Sequence, residues 1–146
     1  MKVVAQFPLP PQPEPLPVWH YANQVATIDG QGRQFSPAFF IKADQLIRIE
    51  TDLMETDGQG NPYLSPYSSP GEISTPVVRH SNGQPVAEEL YFATTITNGR
   101  VVMSGRLPSG DWKLLPERIN RALKFINAPF EVALNPITFI VSTPTS

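Results

Sequence analysis

The stretch Glu89-Leu-Tyr-Phe-Ala-Thr-Thr-Ile-Thr-Asn-Gly-Arg-Val-Val-Met-Ser-Gly-Arg-Leu107 carries the clearest structural signal in the chain. From Leu90 to Thr97 two sets of side chains alternate, which is the period-two pattern of a strand with two different faces. Asn98-Gly99 follows, and both residues tolerate the positive φ angles of a two-residue type I′ turn. Arg100 to Leu107 then runs back. The stretch therefore predicts a β-hairpin.

The composition extends this prediction to the whole fold. Of 146 residues, 40% are apolar, which suffices for a real core. The 17 prolines and nine glycines disfavour long helices and favour short strands joined by turns. We therefore expect a mainly β fold, either a β-sandwich or a small barrel-like antiparallel sheet. One amphipathic helix near the C-terminus and an extended Pro-rich N-terminal arm complete it.

The chain divides into residues 1–17, the arm, and residues 18–146, a single β-rich domain. Six prolines in residues 1–17 fix φ, remove backbone donors and hold their predecessors in extended conformations. The arm is thus expected to resemble a polyproline II helix. An arm with so few internal hydrogen bonds gains order by contacting its own domain or a neighbouring chain.

Further strands are predicted on both sides of the hairpin. Residues 24–28 and 34–42 form a pair around a turn at Asp29-Gly-Gln-Gly32, and residues 45–52 alternate as a third strand. Residues 130–134 and 137–141 are expected to form a final pair of strands. Leu107 to Trp112 is interpreted as a turn.

Residues 116–126 are predicted to form the helix. Pro116 suits the first helical position, and apolar residues recur on one face, Leu123 among them. Glu117 can pair with Arg121 one turn later, and Asn127 is a suitable C-terminal cap. Phe125 lies about 100° from the centre of the apolar stripe and is available to a partner.

Residues 53–89 are expected to be an irregular centre interrupted by prolines, with a short strand at Val77-Val-Arg79 and a turn at Ser81-Asn-Gly83. Tyr63 and Tyr67, with three nearby serines, form a long surface loop. Tyr and Ser are favoured in binding loops, so this loop is a candidate contact region. The alternative is that it only covers the domain.

The charge is unevenly distributed. Residues 1–98 contain five basic and ten acidic residues, whereas residues 99–126 contain six basic and two acidic ones. A solvated basic face explains this, and complementary docking between subunits is the alternative. The formal net charge of −2 and the lack of a recognised motif argue against nucleic acid as a partner.

No residue set indicates catalysis. Cysteine is absent, and His20 and His80 occur in no metal-ligand spacing. Neither a phosphate-binding glycine loop nor a nucleophile elbow is present. The sequence therefore predicts a protein that is not an enzyme and has no cofactor or metal. No window is long and apolar enough to insert in a membrane, and no secretory signal is recognised.

The segment Ser104-Gly-Arg-Leu-Pro-Ser-Gly-Asp-Trp112 followed by Glu117-Arg-Ile-Asn-Arg-Ala-Leu123 resembles the strand–turn–helix of small bacteriophage virion proteins of the tail, baseplate, fibre or capsid-decorating kind. The resemblance implies a structural subunit that is assembled in the host cytoplasm and located in the virion, or otherwise a soluble cytoplasmic protein. Its partners would be copies of itself, as a homo-oligomer, or other structural proteins. The expected contact residues are Phe7, Pro8, Leu9, Pro10, Pro11 and Leu16 on the arm, and Trp19, Tyr63, Tyr67 and Phe125 on the domain.

A free carbohydrate- or peptide-binding β-sandwich module is the alternative function. Trp19, Tyr63, Tyr67 or Trp112 would then be stacking platforms, unless these aromatic side chains pack in the core. The first hypothesis predicts multimers that need the arm, and the second predicts a monomer whose fold survives loss of residues 1–17.

Overall fold

The computed structural model describes residues 15–143. The mainly β fold is confirmed, and the sheet curls into a half-barrel, with one short helix among the described residues. The part of the predicted arm in residues 1–14 lies outside the described residues. The elements are β1 (Val18–Ile28), β2 (Gln31–Arg33), β3 (Ala38–Lys42), β4 (Ile47–Thr56), β5 (Pro62–Leu64), β6 (Ile73–Ser81), β7 (Gln84–Thr97), β8 (Arg100–Gly105), β9 (Gly110–Leu114), α1 (Pro116–Phe125), β10 (Glu131–Ala133) and β11 (Ile137–Ser142).

All of these strands belong to one sheet. Its order is β10-β1-β4-β8-β7-β6-β9-β11-β3, with β2 beside β1 and β5 beside β4. The pairs are antiparallel except for β1 with β10 and β3 with β11, which are parallel. A twisted sheet of this width curls to bury one face.

The concave face carries the core. The strand alternation places Phe92 and Ile96 of β7 inside, and Trp112 and Phe139 join them with no exposed surface. Two buried hydroxyls satisfy each other there, since Thr75 Oγ1 and Thr94 Oγ1 are 2.7 Å apart. Pairing inside the core removes the cost of desolvating an unbonded polar group.

The hairpin forms as the sequence predicts. β7 and β8 pair up to Thr97 and Arg100, and the turn residues Asn98 and Gly99 have φ angles of 47° and 81°. Both angles fit a type I′ turn, whose twist matches that of the flanking strands.

The helix also forms where it was predicted, ending one residue earlier at Phe125. Ile119, Ala122 and Leu123 are its buried residues. Asn127 has a φ of 58° and its amide donates to the carbonyl of Lys124, as a helix C-terminus requires. The helix contacts β6 and β10, which four other strands separate in the sheet order.

Two predicted strand pairs are wrong. The return strand of β1 is β2, whereas β3 pairs with β11, about 100 residues away in sequence. β10 pairs with β1, and β11 pairs with β9 and β3, so the two C-terminal strands do not pair with each other. Local sequence patterns predict that short strands exist. Which strands pair with each other depends on how the whole sheet curls.

The prediction that residues 53–89 are irregular is also partly wrong. Residues 73–81 form the nine-residue strand β6, which pairs with both β7 and β9. Val77 and Val78 are both buried. Burial on both faces removes the polar–apolar alternation by which a strand is recognised. Pro76 also argued against a strand, because proline is rare inside central strands. The predicted turn up to Trp112 likewise contains the start of β9.

Candidate partner-binding surface

The first described residues, here called the root (residues 15–20), are bound to β10. The carbonyl of Pro17 accepts a hydrogen bond of 2.9 Å from the amide of Glu131, and Val18 to His20 then pair in parallel with β10. Pro17 is therefore held beside β10. Leu16 is 44% exposed at this position.

A cluster of three aromatic side chains packs around Trp19 of the root. The Trp19 ring stacks on Phe130 with 4.2 Å between centroids and 10° between planes. The Tyr67 ring packs edge-on against both, at 6.4 Å from Trp19 and 4.9 Å from Phe130. Aromatic pairs at such distances add stability beyond their buried area. Trp19 and Tyr67 therefore pack against each other and Phe130, and this packing stabilises the root.

The solvent side of α1 carries the most exposed large apolar side chain of the described residues. Phe125 is 89% exposed, and Tyr91 on β7 is 57% exposed. Between them lies a groove of about 420 Å³, here called the helix groove. It is lined by Glu72, Ile73, Ser74, Pro76, Tyr91, Arg121, Ala122, Phe125 and Ile126.

A second groove, here called the root groove, lies beside the point where the described chain begins. It measures about 370 Å³ and is lined by Leu16, Asn120, Arg121, Lys124, Phe130 and Glu131. Arg121 lines both grooves. The two grooves therefore flank α1 and meet at this residue.

A largely buried carboxylate ties α1 to the sheet at this surface. Glu89 has 17% of its side chain exposed and accepts from Arg121 at 2.6 Å and from Arg118 at 3.1 Å. The Tyr91 hydroxyl donates to the same carboxylate at 2.9 Å. Burial would raise the pKa of Glu89, but the hydrogen bonds from Tyr91 and Arg121 and the two positive charges hold that pKa below its ordinary value. The predicted pairing of Glu117 with Arg121 is replaced by this contact between elements.

The Tyr/Ser loop is bound to the β7–β8 hairpin. Ser68 Oγ accepts from the amide of Asn98, and Ser69 Oγ accepts from the amide of Ile96. The carbonyl of Tyr67 accepts from the amide of Gly99 at 2.8 Å. The serines therefore cover the turn.

Tyr63 lies apart from the two grooves. It is 43% exposed on β5, and its hydroxyl donates to Glu55 Oε1 at 2.9 Å. Ser65 donates to the other oxygen of Glu55 at 2.7 Å. The hydrogen bond to Glu55 raises the pKa of the Tyr63 hydroxyl.

The structure brings some of the predicted contact residues together and separates others. Leu16 and Phe125 line the two adjoining grooves, whereas Tyr63 lies elsewhere. Phe7, Pro8, Leu9, Pro10 and Pro11 lie outside the described residues. The sugar-stacking role considered for Trp112 is wrong, because this side chain has no exposed surface.

Sequence reasoning missed Tyr91 and Pro76 as groove residues. A signal for Tyr91 was present, since it alternates with the buried Phe92 and must face outward if Phe92 faces inward. Pro76 faces Tyr91 across β6 and β7. Predicting that Pro76 lines the groove would have required the recognition of β6 as a strand.

Three of the basic residues in residues 99–126 form ion pairs with acidic residues of the same domain. Arg100 binds Asp52 at 2.9 Å and Glu50 at 3.4 Å, and Arg118 and Arg121 bind Glu89. The excess of basic residues in the C-terminal half therefore reflects long-range pairs within the domain. It gives little support to charge-driven docking between subunits.

A third cavity, of about 580 Å³, opens between β1 and the segment before β11. His20, Tyr21, Gln24, Phe35 and Asn135 contribute to its walls. Burial raises the pKa of the Tyr21 hydroxyl. Within residues 15–143 no three His, Asp or Glu side chains are grouped in a way that would hold a metal.

No protein-family model, curated protein or solved structure matches this chain. Over the part of the chain that the structure covers, no helix combines the length and apolar character needed to cross a membrane.

Proposed function

We propose that this protein is a structural subunit of a multi-chain assembly and that its Pro-rich N-terminal arm binds a neighbouring subunit. The observation that carries the proposal is the anchored root. The start of β1 pairs with β10 and its Trp19 ring stacks on Phe130, beside a surface that exposes Leu16 and Phe125.

The composition of the arm supports the same function. Prolines restrict the unbound conformations of the arm, so less conformational entropy is lost when it binds. Its apolar residues Phe7, Leu9 and Leu16 would supply the contact area, with Pro8, Pro10 and Pro11 between them. A virion is the setting that the resemblance to bacteriophage structural proteins suggests, and copies of this chain are the partners proposed first.

The proposal is tested by the molar mass of the full-length protein in solution, with and without residues 1–14. We expect the full chain to form oligomers and the shortened chain to be mostly monomeric while it still unfolds in one cooperative thermal transition. The truncation keeps Pro15 to Pro17, because the carbonyl of Pro17 is bonded to Glu131.

A full-length variant with Phe7→Ser and Leu9→Ser serves as the second measurement, and it should lose association as the truncated chain does. A full-length protein that is monomeric at all concentrations would overturn the proposal. Unchanged association after truncation would also overturn it.

A further inference from the structure

The helix groove is an apolar site that the described chain leaves open. Its floor contains Ile73, Pro76 and Ala122, and its walls are the exposed rings of Tyr91 and Phe125. The volume of about 420 Å³ is that of a ligand pocket. Aromatic side chains at the edges of an apolar groove favour proline-rich peptides in the polyproline II conformation.

The Tyr91 side of this groove is held in position before any partner binds. The Tyr91 hydroxyl and the Arg121 guanidinium both bind the carboxylate of Glu89, at 2.9 Å and 2.6 Å. Preorganised walls lose little entropy on binding. Arg121 also has further N–H groups for the peptide carbonyls, which have no internal partner in polyproline II.

The sequence of residues 7–17 limits how the arm can reach such a groove. Each of these residues is a proline or immediately precedes one. A residue that precedes proline avoids the helical region, so a type I turn with proline at its second position is disfavoured throughout. A type II turn needs glycine or asparagine after the proline, and neither occurs there. The sequence of the arm therefore favours an extended conformation over these tight turns.

An extended arm would fit the groove of another copy better than its own. Crossing α1 from the root groove to the helix groove spans about 10–12 Å, the diameter of a helix. At about 3.1 Å per residue this takes roughly four residues from Leu16, which puts Gln12 at the groove. Phe7 and Leu9 would then extend about 10–15 Å beyond it. If the arm crosses α1 by this short path, the two apolar anchors match the groove of a different chain better than that of their own chain.

We propose that the segment Phe7-Pro-Leu-Pro-Pro11 of one copy binds in the helix groove of a second copy, between Tyr91 and Phe125. This inference rests on the proposed function, whose arm-dependent association it makes specific. A two-fold dimer would make the contact twice, once with each arm.

Cysteine pairs test the inference in full-length protein, since the natural chain contains no cysteine. A Leu9→Cys variant is mixed with a Ser74→Cys variant, because Ser74 lines the helix groove. Under mild oxidation we expect a disulfide-linked heterodimer, which only contact between chains can produce. The control is Leu9→Cys mixed with Phe40→Cys, since Phe40 is 69% exposed but lines neither groove. That mixture should give no heterodimer.

The matched substitutions Phe125→Ala and Phe40→Ala give a second readout. Phe125→Ala should weaken association about tenfold or more, as expected for an aromatic side chain at the centre of an interface. Phe40→Ala should change association less than about twofold. Both side chains are exposed, so the two substitutions should leave the unfolding midpoint almost unchanged at protein concentrations too low for association.

The possible failures are distinguishable. Arm-dependent oligomers without a disulfide between the Leu9→Cys and Ser74→Cys variants would overturn the groove assignment and leave the proposed function standing. A full chain that is monomeric by itself would overturn both, including the case in which a different protein fills the groove. An intramolecular disulfide in the Gln12→Cys/Ser74→Cys double variant, without heterodimers, would place the arm on its own chain and also overturn both.

Discussion

Two turns of this protein have the same dipeptide and the same conformation but different surroundings. Asn82-Gly83 joins β6 to β7 with φ angles of 54° and 76°, and Asn98-Gly99 joins β7 to β8 with φ angles of 47° and 81°. A Cβ atom added to Gly83 would have no atom within 4 Å, whereas one added to Gly99 would collide with the carbonyl oxygen of Ser65. Local sequence sets the turn, and tertiary packing decides how far the turn tolerates change.

The same contrast recurs in two further pairs of residues. Leu123 is 2% exposed and Phe125, two positions later on α1, is 89% exposed. Glu89 has 17% of its side chain exposed and contacts two arginines, whereas the neighbouring Glu88 has 49% exposed and contacts one. Each pair offers a substitution and a matched control within the same element.

The largest effect is expected at the turns. Gly99→Ala should lower the free energy of unfolding by about 4 kcal/mol or more, since left-handed strain, overpacking and disturbed hydrogen bonds all add. The affected bonds are those of the Gly99 carbonyl to Leu53 and the Gly99 amide to Tyr67. Gly83→Ala should cost only the strain, about 1–2 kcal/mol. Urea denaturation measures both, and equal costs would show that the Ser65 contact is unimportant.

The next effect is expected on the helix. Leu123→Ala should lower the free energy of unfolding by about 3 kcal/mol, within the usual range of about 2–5 kcal/mol for a buried leucine. Phe125→Ala should change it by less than about 0.5 kcal/mol, because an exposed side chain loses few contacts. Thermal and urea unfolding provide the measurement. A Leu123 cost below about half a kcal/mol would contradict the buried face of α1.

The smallest effect is expected at the glutamates. Glu89→Gln should lower the free energy of unfolding at pH 7 by about 1–2 kcal/mol, the value of hydrogen bonds to a charged group. Glu88→Gln should change it by less than about 0.5 kcal/mol, since its pair with Arg79 is exposed.

The pH dependence gives the glutamate prediction a sign. The pKa of Glu89 is lowered in the fold, so its contribution is fully present above the ordinary value of 4.5 and is lost as the pH falls through the folded-state pKa. Urea midpoints from pH 7 down to about pH 3 should therefore bring the natural protein and Glu89→Gln together at the acidic end. A constant difference between them over this range would show that the Glu89 charge contributes nothing.

Local patterns explain which elements could be predicted. The β7–β8 hairpin, the turns at Gly30 and Gly83 and the helix from Pro116 each depend on residues within a few positions of one another. Such signals survive in any tertiary context. The full length of β6 could not be recognised, because this strand lies between β7 and β9 and is buried on both faces at its centre. β9 has only five residues and begins within a stretch of turn-forming residues.

The candidate surface was predictable to a smaller extent. The sequence indicated that Phe125 lies off the buried stripe of α1, and this is confirmed by its exposure. It did not indicate that Tyr91 and Pro76 would face Phe125, because these three residues belong to β7, β6 and α1. Their meeting depends on how α1 packs on the sheet.

The sequence by itself determined the β class, the turns and the helix, since each follows from φ preferences or from a short hydrophobic period. Only the tertiary structure decided the parallel pairing of β1 with β10 and of β3 with β11, the arginine partners of Glu89, and the two grooves that flank α1. The physical reason is distance along the chain. These contacts join segments that become neighbours only when the sheet forms and α1 packs against it.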